Sequence, residues 1–135
     1  MIKILLTTMS VMVTLHAFNQ TTVSPKPVPP AGTGTESSSK NLTAVVVTRF
    51  QSEMNLSSDQ KTKVTEIIGN YLDEKAKIIP LIAENKTAYD DKQASYFKTL
   101  RVKLKDVLVR TQLQKFMALK PRPEETDSSL YYVYY

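Results

Sequence analysis

From Val64 onward the apolar residues fall at Val64, Ile67, Ile68, Tyr71, Leu72, Ile78 and Ile79, the three-and-four spacing that lines one side of a helix. Lys61, Lys63, Glu66, Asp73, Glu74 and Lys77 stand between them and would mostly face water. The start of this helix is written in Leu56-Ser57-Ser58-Asp59-Gln60. There the Ser57 hydroxyl can accept from the amide three residues on while the Gln60 side chain accepts from the amide of Ser57, which together make a capping box. Asp59 adds negative charge at the positive end of the helix dipole, and Leu56 is placed to pack on the first full turn. Pro80 removes a helix hydrogen bond and clashes with the preceding turn, so the helix stops or bends there. Beyond it Tyr89, Tyr96, Phe97, Leu100, Leu104, Val107 and Leu108 continue a helical stripe towards Arg110. Leu113, Phe116, Met117 and Leu119 supply a last short helix, ended by Pro121 and Pro123.

Leu42, Val45, Val46, Phe50 and Met54 also repeat at helical spacing, although the Val45-Val46-Val47-Thr48 run is β-branched and suits a strand. A short helix is the reading adopted, because no second strand-like stretch in the core offers it a partner and a lone strand leaves its backbone groups unpaired. The pattern therefore predicts an all-α domain over residues 42–120, a helical hairpin with short flanking helices.

The ends differ from this middle. Residues 1–17 carry Lys3, an apolar or small run from Ile4 to Leu15 and a small residue at Ala17, the layout of a secretory signal peptide. The run is too short for a membrane span, which needs about 20 residues, so an exported chain with no stable span after cleavage is expected. Residues 18–41 hold Pro25, Pro27, Pro29, Pro30, Gly32, Gly34 and three consecutive serines, Ser37 to Ser39, a composition that cannot offset backbone ordering by apolar burial and reads as a disordered linker. Residues 121–135 read as a flexible tail with a tyrosine-rich end. Its aromatic residues Tyr131, Tyr132, Tyr134 and Tyr135 either fold back on the helices or dock on a partner, as an added strand or through the carboxyl end.

Composition excludes more than it assigns. The chain has no cysteine and one histidine, and that histidine, His16, lies in the signal segment. The exported chain would hold neither, which removes thiolate and imidazole zinc sites and histidine-assisted nucleophilic catalysis. The carboxylate pairs Asp73-Glu74 and Asp90-Asp91 are adjacent, so on a helix their side chains diverge. No catalytic set, cofactor site or metal site is expected, and the chain reads as a non-enzyme. The Asn-X-Ser/Thr sequons at Asn19, Asn41, Asn55 and Asn85 are read as chance occurrences.

Charge is segregated. Residues 98–120 hold seven basic residues against Asp106 alone, whereas residues 51–92 hold six basic and eight acidic ones. Lys98, Arg101 and Lys105 share a face beside the apolar stripe, and with Phe97 they form a candidate client-binding face. Export disfavours nucleic acid, which leaves anionic lipid or acidic, partly unfolded polypeptide; unfolded or partner polypeptide is the expected partner.

The opening motif Leu56-Ser57-Ser58-Asp59-Gln60 resembles the Leu-Thr-x-x-Gln motif of the periplasmic Spy and CpxP family of small helical stress proteins. Leu108-Val109-Arg110-Thr111-Gln112 falls where that family places its second copy and keeps Leu108 and Gln112. It departs at Val109, where the family's threonine would cap a helix; Thr111 with Gln114 offers another box. The resemblance implies a helical hairpin that dimerises into a curved cradle, and either ATP-independent binding of unfolded clients or envelope-stress sensing. A small helical core also favours a homodimer on its own, because association completes burial. The alternative is a structural or adaptor protein that docks a partner through its tyrosine-rich tail.

Overall fold

The computed structural model describes residues 35–135, and these fold into helices with no strand among them. In chain order they are α1 (Thr35–Met54), α2 (Ser58–Ile78), α3 (Leu81–Glu84), α4 (Lys86–Lys105), α5 (Arg110–Ala118) and α6 (Tyr131–Tyr134). The expected signal peptide, and the linker up to residue 34, lie outside the described residues.

α1 is a helix despite its valine run, and the reason is burial. Thr43, Val46, Val47, Phe50 and Met54 are buried while Val45 is 52% exposed, so the helical period sorts the valines correctly where an alternating strand would not. The helix also begins earlier than the expected boundary at residue 42, taking in residues 35–41, which composition alone places in the linker. Once the packed turns exist, each added residue needs only one more backbone bond, and Thr43 donates to the Ser39 carbonyl at 2.7 Å.

Asn55 ends α1 in the left-handed region with φ 51°, a conformation that asparagine tolerates better than most residues. The Gln51 amide closes the turn by donating to the Leu56 carbonyl at 2.9 Å. α1 and α2 then lie against each other, with Thr43 facing Gly69. α2 stops at Ile78, as Pro80 demands, and one short turn of helix, α3, redirects the chain. Tyr71 of α2 meets Gln93 of α4, residues nearly equidistant from that corner, so the two helices form the expected hairpin.

α5 crosses the end of this array. Its Phe116 is fully buried and meets Phe50 of α1 edge-on at 5.5 Å between ring centres, Phe97 of α4 at 6.2 Å and Tyr134 of α6 at 5.3 Å. Such aromatic contacts each contribute about 0.5–1.5 kcal/mol beyond area burial.

The C-terminal segment departs from the expected flexible tail. Residues 121–130 form successive turns, in which Glu125, Ser128 and Tyr131 donate their amides to the carbonyls of Arg122, Glu125 and Ser128. The last residues then make a helical turn that buries Leu130, Val133 and Tyr134. Burial of apolar side chains like these contributes about 1.5–3 kcal/mol each, enough to outweigh the β propensity of the Tyr-Tyr-Val-Tyr-Tyr run.

Candidate functional site

Two places concentrate the residues singled out by sequence. The first is the meeting of the two motif copies. Ser57 has extended backbone (φ −66°, ψ 165°), its hydroxyl accepts from the Gln60 amide at 3.2 Å, and its own amide donates to Gln60 Oε1 at 3.0 Å. Val109 takes nearly the same backbone conformation (φ −72°, ψ 161°) and donates its amide to Gln112 Oε1 at 3.1 Å. Valine carries no acceptor, so only half of the box forms. The alternative box at Thr111 and Gln114 is not used, because α5 has already begun at Arg110 and Thr111 lies inside it.

The two glutamines then find each other. Gln60 Nε2 donates to Gln112 Oε1 at 2.9 Å, and Gln112 Nε2 donates to Gln60 Oε1 at 3.0 Å. Their second amide protons go to backbone carbonyls across the junction, from Gln60 to Val107 at 3.1 Å and from Gln112 to Met54 at 3.2 Å. Each glutamine thus caps its own helix, binds its counterpart and ties the loop before the other motif. Leu56 and Leu108, the first residue of each copy, are both buried. The motif residues Leu56, Ser57, Gln60, Leu108 and Gln112 form one connected unit.

The expected client face is assembled only in part. Lys98, Arg101 and Lys105 are exposed along α4, with no carboxylate partner for any of them among the described residues. Phe97 does not join them. It turns into the aromatic cluster against Phe116 and Tyr134, because it belongs to the stripe of Gln93, Leu100 and Leu104 that faces the core. Val102, 56% exposed, lies among the basic residues at helical spacing and supplies the apolar element that Phe97 does not.

The second place is where the tail docks. Tyr71 of α2 donates its hydroxyl to the Val133 carbonyl at 2.7 Å, Lys75 Nζ donates to the Tyr132 carbonyl at 2.6 Å, and Tyr89 of α4 donates to Tyr135 at 3.1 Å. The carbonyls of Tyr132 and Val133 belong to the last helical turn and have no partner within the helix. Gln93 supports the set by donating to the Tyr71 hydroxyl at 3.0 Å, and the Tyr134 hydroxyl donates to the Phe116 carbonyl. Tyr131 stacks on Tyr135 at 4.8 Å.

Lys75 is fully buried, with its ammonium 4.5 Å from the centre of the Tyr132 ring and no carboxylate beside it among the described residues. Burial pushes its pKa from 10.5 down to about 7. The same desolvation raises the hydroxyls of Tyr71, Tyr132 and Tyr134 well above their ordinary range. The sequence does hold a signal for this lysine, for Ile68, Tyr71, Leu72, Lys75 and Ile78 continue one stripe at three-and-four spacing. Lys75 occupies a core position in it.

Among the described residues no helix is long and apolar enough to cross a membrane, and no group of three or more His, Cys, Asp or Glu side chains is placed to hold a metal ion. Comparison with protein-family models, curated proteins and solved structures finds no match to this chain.

Proposed function

We propose that this chain is an exported helical binding protein that holds unfolded polypeptide without nucleotide, in the manner of the Spy and CpxP proteins. The observation that carries the reading is the reciprocal Gln60–Gln112 amide pair, which makes the two Leu-x-x-x-Gln segments parts of one unit instead of two separate helix starts. The client face in this reading is the open basic ridge of Lys98, Arg101 and Lys105 with Val102 between them. An ammonium or guanidinium with no partner of its own is free to meet acidic segments of a client, and the exposed valine gives apolar contact beside it.

A homodimer completes the reading. Val45, Val102, Val109 and Met117 are exposed apolar residues that a second copy would cover in part. The alternative, an adaptor that presents its tyrosine tail to a partner, gains no support from the tail's position, since Tyr131, Tyr132, Tyr134 and Tyr135 are already engaged by their own core.

The test is suppression of aggregation of a chemically denatured protein, with the chain's solution mass measured in the same buffer. Suppression without ATP, weaker as salt rises through the range that shortens the Debye length below about 8 Å, and reduced by the triple charge removal Lys98→Gln, Arg101→Gln and Lys105→Gln, is the expected outcome. No suppression at several-fold molar excess overturns it.

A further inference from the structure

Residues 130–135 are held largely through their backbone. The main-chain carbonyls of Val133 and Tyr132 accept from Tyr71 and Lys75, and Tyr89 donates to the backbone oxygen of Tyr135. Carbonyls are common to every polypeptide, so such donors do not require the tail's own sequence. The side-chain part of the recognition is broad as well, consisting of the buried Val133 and of Tyr134, whose ring lies in an aromatic recess against Phe97 and Phe116.

The fit is also incomplete. Among the described residues the buried Tyr132 hydroxyl and Gln93 Oε1 atom have no hydrogen-bond partner, and Lys75, the one fully buried cation there, meets a carbonyl and a ring in place of a carboxylate. Polar groups left in this state weaken the bound form relative to one that satisfies them. The connection to the rest of the chain is a run of turns from Pro121 to Ser129 whose exposed members include Arg122, Pro123, Glu124 and Glu125. A ligand so tethered is held by its high effective concentration, and a stronger or more abundant competitor displaces it.

We propose that residues 130–135 are a built-in ligand occupying a polypeptide-binding groove between α2, α4 and α5, and that unfolded segments rich in tyrosine and aliphatic residues bind there in trans when the tail leaves. Main-chain capture by Tyr71 and Lys75 gives sequence tolerance, and the Phe97–Phe116 recess gives the preference for an aromatic anchor. A client carboxylate near Lys75 would make the ion pair that the tail does not. This inference rests on the client-binding reading above and locates a second, deeper contact for the same clients.

The test keeps the full chain and adds a protease recognition sequence in the exposed segment 122–125. After cleavage of the folded protein, a fluorescein-labelled synthetic peptide of residues 128–135 is titrated in, and a carboxymethylated, permanently unfolded protein is added as competitor. Expected is retention of the helical circular dichroism, exchange of the labelled peptide with the cut fragment, at least tenfold weaker binding of the peptide carrying Tyr134→Ala, and displacement by the unfolded protein. Loss of helical signal on cleavage makes the tail an integral part of the core and overturns the proposal, as does an intact core that refuses the peptide. Aggregation suppression by the uncut chain separates the two readings. Suppression combined with an unfolded protein that never competes for the groove removes this inference and leaves the client reading standing. Peptide exchange and competition without suppression does the reverse.

Discussion

At the residue scale Lys75 is the position where chemistry and packing most oppose each other. A lysine whose pKa falls from 10.5 to about 7 on folding makes the unfolded chain bind the extra proton between those values, so stability rises with pH across that window. The difference corresponds to about 5 kcal/mol between the two limits, a large share of the 5–15 kcal/mol that typical domains possess. Above the ordinary tyrosine pKa of 10.0, the raised hydroxyls of Tyr71, Tyr132 and Tyr134 act in the opposite sense, because the unfolded chain loses those protons first. Urea unfolding followed by circular dichroism is therefore expected to show stability climbing from pH 7 to a maximum near the tyrosine value and falling beyond it. Lys75→Met should flatten the climb and leave the alkaline fall. A wild-type profile already flat between pH 7 and 10 would show that the ammonium is not buried as described. The stripe spacing holds a signal for Lys75 that the apolar pattern alone passes over, and nothing in the sequence tells which carbonyl it meets, since that partner, Tyr132, is 57 residues away.

At the element scale the two motif helices are a natural pair with one difference. α2 has both halves of its capping box and α5 has one. Removing the Ser57 hydroxyl with Ser57→Ala is expected to cost about 1 kcal/mol, and Val109→Thr is expected to return a similar amount, about 0.5–1 kcal/mol. Val109 already has capping backbone geometry and is 56% exposed, so the exchange sacrifices little packing. Denaturant midpoints read both changes; a Val109→Thr protein no more stable than wild type would mean that the added hydroxyl does not reach the Gln112 amide. This asymmetry was legible in the sequence because a cap is a local matter of a few adjacent residues. The helix at Leu42–Met54 was legible too, from spacing set against propensity. The form of the tail was not, for its helical turn depends on donors from α2 and α4 that local pattern does not reveal, and its β-prone residues point the other way.

At the scale of the whole molecule, the Gln60–Gln112 pair is what makes two hairpins and a crossing helix into one frame. The pair joins residues 52 apart in sequence, and its second donors fasten the α1–α2 turn at Met54 and the α4–α5 turn at Val107. Sequence placed a glutamine in each motif and a helix start at each, yet periodicity describes one helix at a time and cannot show that two caps face each other. The arrangement predicts coupling. Gln60→Ala takes from Gln112 both bonds of the reciprocal pair and from the Val107 carbonyl its Gln60 donor in a half-buried place, a loss of about 1–3 kcal/mol, and Gln112→Ala does the same to Gln60 and the Met54 carbonyl. In the double variant the second loss has already been incurred in part, so the combined destabilisation should fall short of the sum of the singles by about 0.5–2 kcal/mol. Ser57 offers the control, because its hydroxyl bonds only within its own box, and Ser57→Ala combined with Gln112→Ala should be nearly additive. Additivity in the glutamine cycle would mean that each side chain serves its own helix alone. The frame would then rest on the buried leucines and the aromatic cluster, and the two motifs would lose the physical link on which the client-binding reading depends.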